Sequence, residues 1–385
     1  LKDLGVICAL GNNKQQVFNG LVSGENSFLT VDTELPLEES QYVGRISLPN
    51  MTELNKISTH NNKLAYLAYQ QIKASLQPLV AKFGADRIAV VVGTSTASIY
   101  EGELARKELV KSGKFPDSFQ YEVQEMAAPA KYVAKLAGAK GPVYGISTAC
   151  SSSGKALVSA KSLLESGLAD VVIAGGVDSL TRLTINGFKS LESIAKTQCR
   201  PFSYDRDGIN IGEAAALFIM TKEDKGIQLL GAGETSDAYH ISAPSPDGAG
   251  AIQAMSLALK NAGLDGKQID YVNLHGTGTR KNDEMEAIAM AEVCGDKVIC
   301  GSTKHLTGHT LGAAGALEIG LCWLLLSDLN REGFIPENCQ ESLINESMMT
   351  INLSSGQKVK GLKYCMSNSF AFGGNNFSAV LGKTQ

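Results

Sequence analysis

Residues 141–167 read GPVYGISTACSSSGKALVSAKSLLESG. An apolar segment, a run of small residues and then helical spacing predict strand, sharp turn and helix, with Cys150 at the turn. A strand feeding a helix start leaves backbone N–H groups unpaired and sets the positive end of the helix beside its first residues. A thiolate is stabilised at such a place. Ser147, Thr148, Ala149, Ser151, Ser152, Ser153 and Gly154 are all small, so the chain can turn tightly and a substrate can reach the sulfur. A lone cysteine before a helix is also commonly a small buried hydrophobe. The rest of the chain has to decide between a reactive thiol and a core one.

Outward from this stretch the same rhythm recurs. Residues 4–10 form an apolar run followed by helical spacing from Lys14 to Ser23. The polar stretch 25–50 reads as surface loop or short edge structure. Residues 61–81 have helical spacing, and Arg87 to Gly93 (RIAVVVG) supply a buried strand ending at the small-residue loop Thr94–Ser98. Loops at strand carboxyl ends line the ligand crevices of α/β sheets. Beyond the opening stretch, residues 170–175 form a strand with Gly176-Val177-Asp178 as its exit turn, and 213–220 another. In the second half, a helix over 249–262, a strand over 269–274 ending at His275, a helix over 283–293 and a short strand over 298–301 follow in turn. Residues 364–368 lead to a glycine turn at Phe372-Gly373-Gly374. The pattern predicts an α/β protein of two similar halves, 1–225 carrying Cys150 and 226–385 carrying two histidine motifs.

Composition bounds the function. The chain has 385 residues, 44% hydrophobic and 19% charged, with 40 glycines, as numerous tight strand-to-helix turns require. A net charge of −4 gives no basic stripe for nucleic acid or an anionic membrane. The eight cysteines show no C-x-x-C pair and are expected to be reduced thiols in a cytoplasmic protein. No apolar run reaches membrane-spanning length. The longest, 313–327, carries Glu318 and reads as a buried helix.

Three motifs in the second half accompany Cys150 at strand ends or helix starts. NLHGTGT (273–279) presents His275 with two threonine hydroxyls. KHLTGHTLGAAG (304–315) places His309 before a helix start, which depresses an imidazole pKa. NSFAFGGNN (368–376) has glycines able to aim backbone N–H groups at an oxyanion. Each alone also reads as turn or cap chemistry.

Together, and in this order, they resemble the elongating β-ketoacyl-acyl carrier protein synthases of fatty acid and type II polyketide synthesis, over essentially the whole chain. The resemblance implies the thiolase fold, two α/β halves in a layered α-β-α-β-α arrangement. It maps the nucleophile to Cys150, the histidines to His275 and His309, the motif lysine to Lys304, an acidic pair to Asp283 and Glu286, and a gating phenylalanine to Phe372. Glu286 is expected to pair with Lys304. Thr277 and Thr279 are expected to bind the pantetheine arm. The implied partners are an acyl carrier protein and a second subunit, either an identical copy or a ketosynthase-like one. No metal or bound cofactor is implied, since substrates arrive on the carrier's phosphopantetheine. The implied reaction is decarboxylative condensation of a Cys150-bound acyl group with a malonyl thioester.

Two alternatives stand beside this reading. An initiating synthase pairs cysteine with one histidine and an asparagine, which the two histidine motifs oppose. A chain-length-setting subunit lacks the nucleophile, which Cys150 opposes. The catalytic half of a heterodimeric polyketide ketosynthase remains compatible. Arg280, Asn282, Ala371 and Asn375 depart from the family pattern, where proline, glycine, glycine and threonine are usual.

Overall fold

The computed structural model describes every residue except 26–27, 36, 38, 224, 340–347 and 385. The first half opens with β1 (Asp3–Ile7), α1 (Lys14–Leu21) and a small ribbon of β2 (Thr30–Val31) and β3 (Tyr42–Val43). It continues through α2 (His60–Phe83), β4 (Ile88–Gly93), α3 (Ile99–Ser112), α4 (Ala128–Ala137), β5 (Val143–Ile146), α5 (Ser152–Glu165), β6 (Val171–Asp178), α6 (Arg182–Ser190) and β7 (Ala214–Thr221). The second half comprises β8 (Gly226–Ser236), α7 (Ala249–Ala262), β9 (Tyr271–Asn273), α8 (Arg280–Val293), β10 (Ile299–Gly301), α9 (Lys304–Thr307) and α10 (Ala314–Leu326). It ends with β11 (Asn352–Leu353), β12 (Tyr364–Ala371) and β13 (Asn375–Thr384).

Local chemistry accounts for most of these elements. The Thr59 side chain accepts the Asn62 N–H to start α2, and Gly84, at φ +85°, ends it. All six residues of β4 are buried, the mark of a strand covered on both faces. All but one of the residues of α10 are buried, so no polar stripe marks it as amphipathic. Gly176-Val177-Asp178 is not a turn: the ladder of β6 with β7 continues to the Asp178–Ala214 pair. Neither α3 nor α6 is legible in the apolar spacing, because each buries only one residue, Ala105 and Ile185 respectively.

Strand order explains the layering. One sheet runs β5-β4-β6-β7-β1, with β5, β4 and β6 parallel and β7 and β1 antiparallel. The other runs β10-β9-β12-β13-β8 with the same directions, and β11 added at its edge. Helices α2 and α4 cover the outer face of the first sheet, and α7 and α8 that of the second. Between the sheets lie α5 and α10, whose apolar side chains form the central core with residues of both sheets. The outcome is the α-β-α-β-α thiolase arrangement. Each half sends its central helix into one shared middle layer.

Glycine sets the spacing where β4 meets α5. A Cβ on Gly93 would stand 2.4 Å from the Ser153 backbone nitrogen. Gly93→Ala is therefore expected to push the start of α5 away and destabilise the protein by about 1–3 kcal/mol. Urea unfolding with an unchanged m-value checks this.

Candidate active site

Cys150 lies between β5 and α5 and is 4% exposed. The residue before it, Ala149, has φ +54°, a conformation costly for a residue with a Cβ. Neighbours hold it there. The Ala149 carbonyl accepts from Ser152 Oγ at 2.5 Å and Ser95 Oγ at 3.3 Å, while the Thr148 N–H donates to Ser152 Oγ at 2.9 Å. Ser95 is itself fixed by Asp178, a buried carboxylate that accepts from the backbone N–H groups of Ser95 and Thr96 and from the Thr94 and Thr96 hydroxyls. The small residues of the motif thus serve the strained turn before Cys150 as well as access to its sulfur.

Burial works against a thiolate here. It pushes the Cys150 thiol up to about 11, against the opposing pull of the Lys304 charge and of the nearby Phe372 N–H. The helix start lies at Ser152, beyond the cap residue Ser151.

His309 Nε2 is 3.0 Å from Cys150 Sγ, and its Nδ1 accepts the Leu311 N–H at 3.2 Å. That acceptor role leaves the ring proton on Nε2. Burial, with the nearby Lys304 charge, holds this imidazole well below its ordinary pKa. The helix start therefore acts by fixing the tautomer, and burial is the main reason the ring is neutral. His275 stands edge-on to His309 with ring centroids 5.4 Å apart. Its Nδ1 faces the Lys304 ammonium at 3.4 Å. An ammonium can only donate, so His275 also carries its proton on Nε2, and burial keeps it neutral.

One nitrogen of each ring and Cys150 Sγ lie within 4.8 Å of one another, a spacing that would suit a soft metal by distance alone. Ligation through Nε2 needs a lone pair there. It would move each ring proton onto Nδ1, against the Leu311 N–H and the Lys304 ammonium. The supporting hydrogen bonds favour two N–H donors converging beside a thiol.

Lys304, 1% exposed, does not pair with Glu286. Its ammonium forms an ion pair with Glu318 of α10 and donates to the His275 carbonyl at 2.6 Å. Glu286 instead accepts the backbone N–H groups of His275 and Gly276, both at 2.7 Å. The two carboxylates split the work: one satisfies the lysine, the other pins the turn carrying the histidine. Glu318 has a sequence signal, a lone carboxylate in an otherwise apolar helix, but only packing shows what it faces. The Asn282 amide donates to Asp283 and to Glu286, so this departure from the family pattern joins the carboxylates behind the site.

Cys150, His275, His309, Phe372, Thr277 and Thr279 line one cavity of about 460 Å³, with exposed Arg280 and Lys281 at its rim. The threonine hydroxyls are 2.9 Å apart. The Phe372 ring packs against Phe188 of α6 at 5.4 Å between centroids, a wall residue that carries no motif. Cys199 is a buried thiol pushed up to about 12, as a core role requires. A larger crevice, about 1000 Å³ around Trp323 and Lys383, contains none of the motif residues.

Residues 64–225 match the family model of the beta-ketoacyl synthase N-terminal domain, and residues 227–340 that of the C-terminal domain. The chain belongs to the β-ketoacyl synthase family. It is 31% identical over 407 residues to nodulation protein E of Rhizobium meliloti strain 1021, covering 99% of this chain and 98% of that one. It is 28% identical over 415 residues to 3-oxoacyl-[acyl-carrier-protein] synthase 2 of a Synechocystis strain, with 99% and 97% covered. Among solved structures it resembles a ketosynthase in complex with its chain length factor from Xenorhabdus doucetiae, at 42% identity and TM-score 0.92, covering 100% of this chain and 97% of that one. The synthase is a condensing acyltransferase of the elongating, fatty acid and type II polyketide kind. Among its described residues no helix is long and apolar enough to cross a membrane.

Two outcomes test the electrostatics. Alkylation of Cys150 by iodoacetamide is expected to rise steadily between about pH 6 and 9 without a plateau, because the raised thiol pKa keeps the thiolate a minor species throughout. A plateau in that window contradicts the buried-thiol state. Glu318→Gln is expected to cost about 3–5 kcal/mol in chemical denaturation by leaving Lys304 buried without its counter-charge.

Proposed function

We propose that Cys150 carries the growing acyl chain and that His275 and His309 convert a malonyl thioester into the attacking enolate. The observation supporting this most directly is the convergence of the Cys150 sulfur with the His309 Nε2–H at 3.0 Å and the Phe372 N–H in one cavity. In the first half-reaction Cys150 attacks the carrier thioester. The new acyl–Sγ bond replaces the acyl–pantetheine bond, and the cysteine proton leaves with the pantetheine sulfur. The tetrahedral oxyanion is met by the backbone N–H groups of Cys150 and Phe372.

In the second half-reaction the malonyl thioester sheds its carboxylate as carbon dioxide, and the electron pair moves onto the thioester oxygen. Two imidazole N–H donors stabilise that enolate, whereas two imidazoliums would be quenched by protonating it. The enolate carbon attacks the acyl–Cys150 thioester, the oxyanion again faces the two backbone N–H groups, and collapse releases the cysteine thiolate, which recovers a proton. The product is a carrier-bound β-ketoacyl chain longer by two carbons. Lys304 and Glu286 hold the histidines and their turn. Thr277 and Thr279 sit where hydroxyls can bond the amides of a pantetheine arm, and Phe372 closes the space over the sulfur.

The substrates arrive on the phosphopantetheine of an acyl carrier protein, an acidic partner that Arg280 and Lys281 at the cavity rim suit. The similarity to a ketosynthase solved with its chain length factor favours a heterodimer with a ketosynthase-like subunit, with this chain as the catalytic half because its Cys150, His275 and His309 are intact. Cys8, Cys150, Cys199, Cys294, Cys300, Cys322 and Cys365 are buried free thiols, which supports the cytoplasm as the location.

Intact-protein mass measurement with acyl carrier thioesters tests the assignment. Acylation is expected at Cys150 and absent in Cys150→Ala. His275→Ala and His309→Ala are expected to acylate Cys150 but to lose decarboxylation by about 10²–10³-fold. Acylation elsewhere, or condensation by Cys150→Ala, overturns the reading.

A further inference from the structure

The hairpin that carries Phe372 is tied to the nucleophile's helix by a side chain with no part in the chemistry above. Phe372, Gly373 and Gly374 join β12 to β13, and Ala371 and Asn375 form the last pair of their ladder. The glycines have φ of +83° and +76°, so the turn has little stiffness of its own and takes its position from what grips it. One grip is a loop. The Gly373 N–H donates to the Ile241 carbonyl at 2.8 Å, and the Asp237 N–H to the Gly374 carbonyl at 2.9 Å. Ile241 is 79% exposed, so this support lies at the surface.

The other grip reaches the middle layer. Lys155 Nζ donates to Asn375 Oδ1 at 3.1 Å, with the Glu234 carboxylate 3.9 Å from the same ammonium. Lys155 stands in α5 five residues after Cys150, and its side chain is 17% exposed. It does not line the cavity over the sulfur. Gly154 beside it packs directly on Phe377 of β13, where a Cβ would stand 2.5 Å from the ring. Helix and hairpin are therefore already in contact, and the lysine fixes how the hairpin's tip sits on that contact. Asn375, one of the departures from the family pattern, supplies the acceptor.

We propose that Lys155 is a positioning residue which, through Asn375, holds the Phe372 N–H in register with Cys150. The inference rests on the acyl-transfer reading of the site. The nucleophile and its oxyanion donor sit on different halves of the chain, and Lys155 locks the one to the other.

Single-turnover acylation from an acyl carrier thioester, followed by intact mass, tests this beside alkylation of Cys150 by iodoacetamide. Lys155→Met is expected to slow acylation at saturating carrier about tenfold, the worth of one hydrogen bond, with the half-saturating concentration unchanged. Alkylation, which needs no oxyanion donor, is expected not to slow. Lys155→Arg restores acylation. Asn375→Ala shows the same loss, and the double variant is no worse than either single one. Unchanged acylation in Lys155→Met, equal slowing of acylation and alkylation, or losses that multiply in the double variant each overturn the tie. If Lys155→Met does not fold, Asn375→Ala carries the comparison. A parent protein that is not acylated at Cys150 sinks the acyl-transfer reading and this inference together. An acylated parent with an indifferent Lys155→Met sinks the inference alone.

Discussion

The structure depends on the close approach of two buried helix starts. At the beginning of α5 and α10 the backbones pass so near that a Cβ on Gly315 would stand 2.8 Å from the Gly154 nitrogen. Ser153 Oγ accepts the Ala316 N–H across the contact at 2.8 Å. Side chains of ordinary size would force the helices, and with them the two sheets, apart. The small residues around Cys150 and His309 are thus a packing requirement first. The site inherits its geometry from them, because Cys150 lies two residues before the start of α5 and His309 lies in the turn that leads into α10.

From that contact the chemistry follows with few further devices. Bringing the helix starts together places an imidazole Nε2 3.0 Å from a thiol, both nearly shut off from bulk solvent. Desolvation then works in the same sense on both groups: it keeps the cysteine a thiol and the histidines neutral. A neutral imidazole can point its proton either way, and the direction is chosen from behind, by the Leu311 N–H for one ring and the Lys304 ammonium for the other. Two N–H donors meeting over one cavity suit a carbanion reaction. Two protonated rings, or two lone pairs, would not.

The same dryness raises the cost of the charges that support the site. Lys304 is tolerable in the interior because Glu318, from the apolar α10, neutralises it, and because its remaining donors reach His275. Glu286 sits in a separate hydrogen-bonded pocket of backbone N–H groups. Together they hold His275 by its backbone, Glu286 accepting its N–H and Lys304 donating to its carbonyl.

The sequence by itself determined the α/β rhythm, the central strands and helices, the motifs that carry Cys150, His275 and His309 into one cavity, and the family. Those features are written in local spacing: apolar runs of strand length, small residues at strand ends, glycines at the turns. Only the tertiary structure decided who faces whom. The expected Lys304–Glu286 pair became Lys304–Glu318, since an ion pair between residues on α9 and α10 depends on how those helices turn toward each other, which no spacing encodes. Burial pushes the Cys150 thiol pKa up where the helix start alone would lower it, because a helix start is visible in sequence and the depth of its burial is not. Phe188 and Lys155 escaped notice for the same reason. α6 presents one buried residue and no motif, and the reach of Lys155 to Asn375 joins positions 220 residues apart that become neighbours only when the two halves share their middle layer.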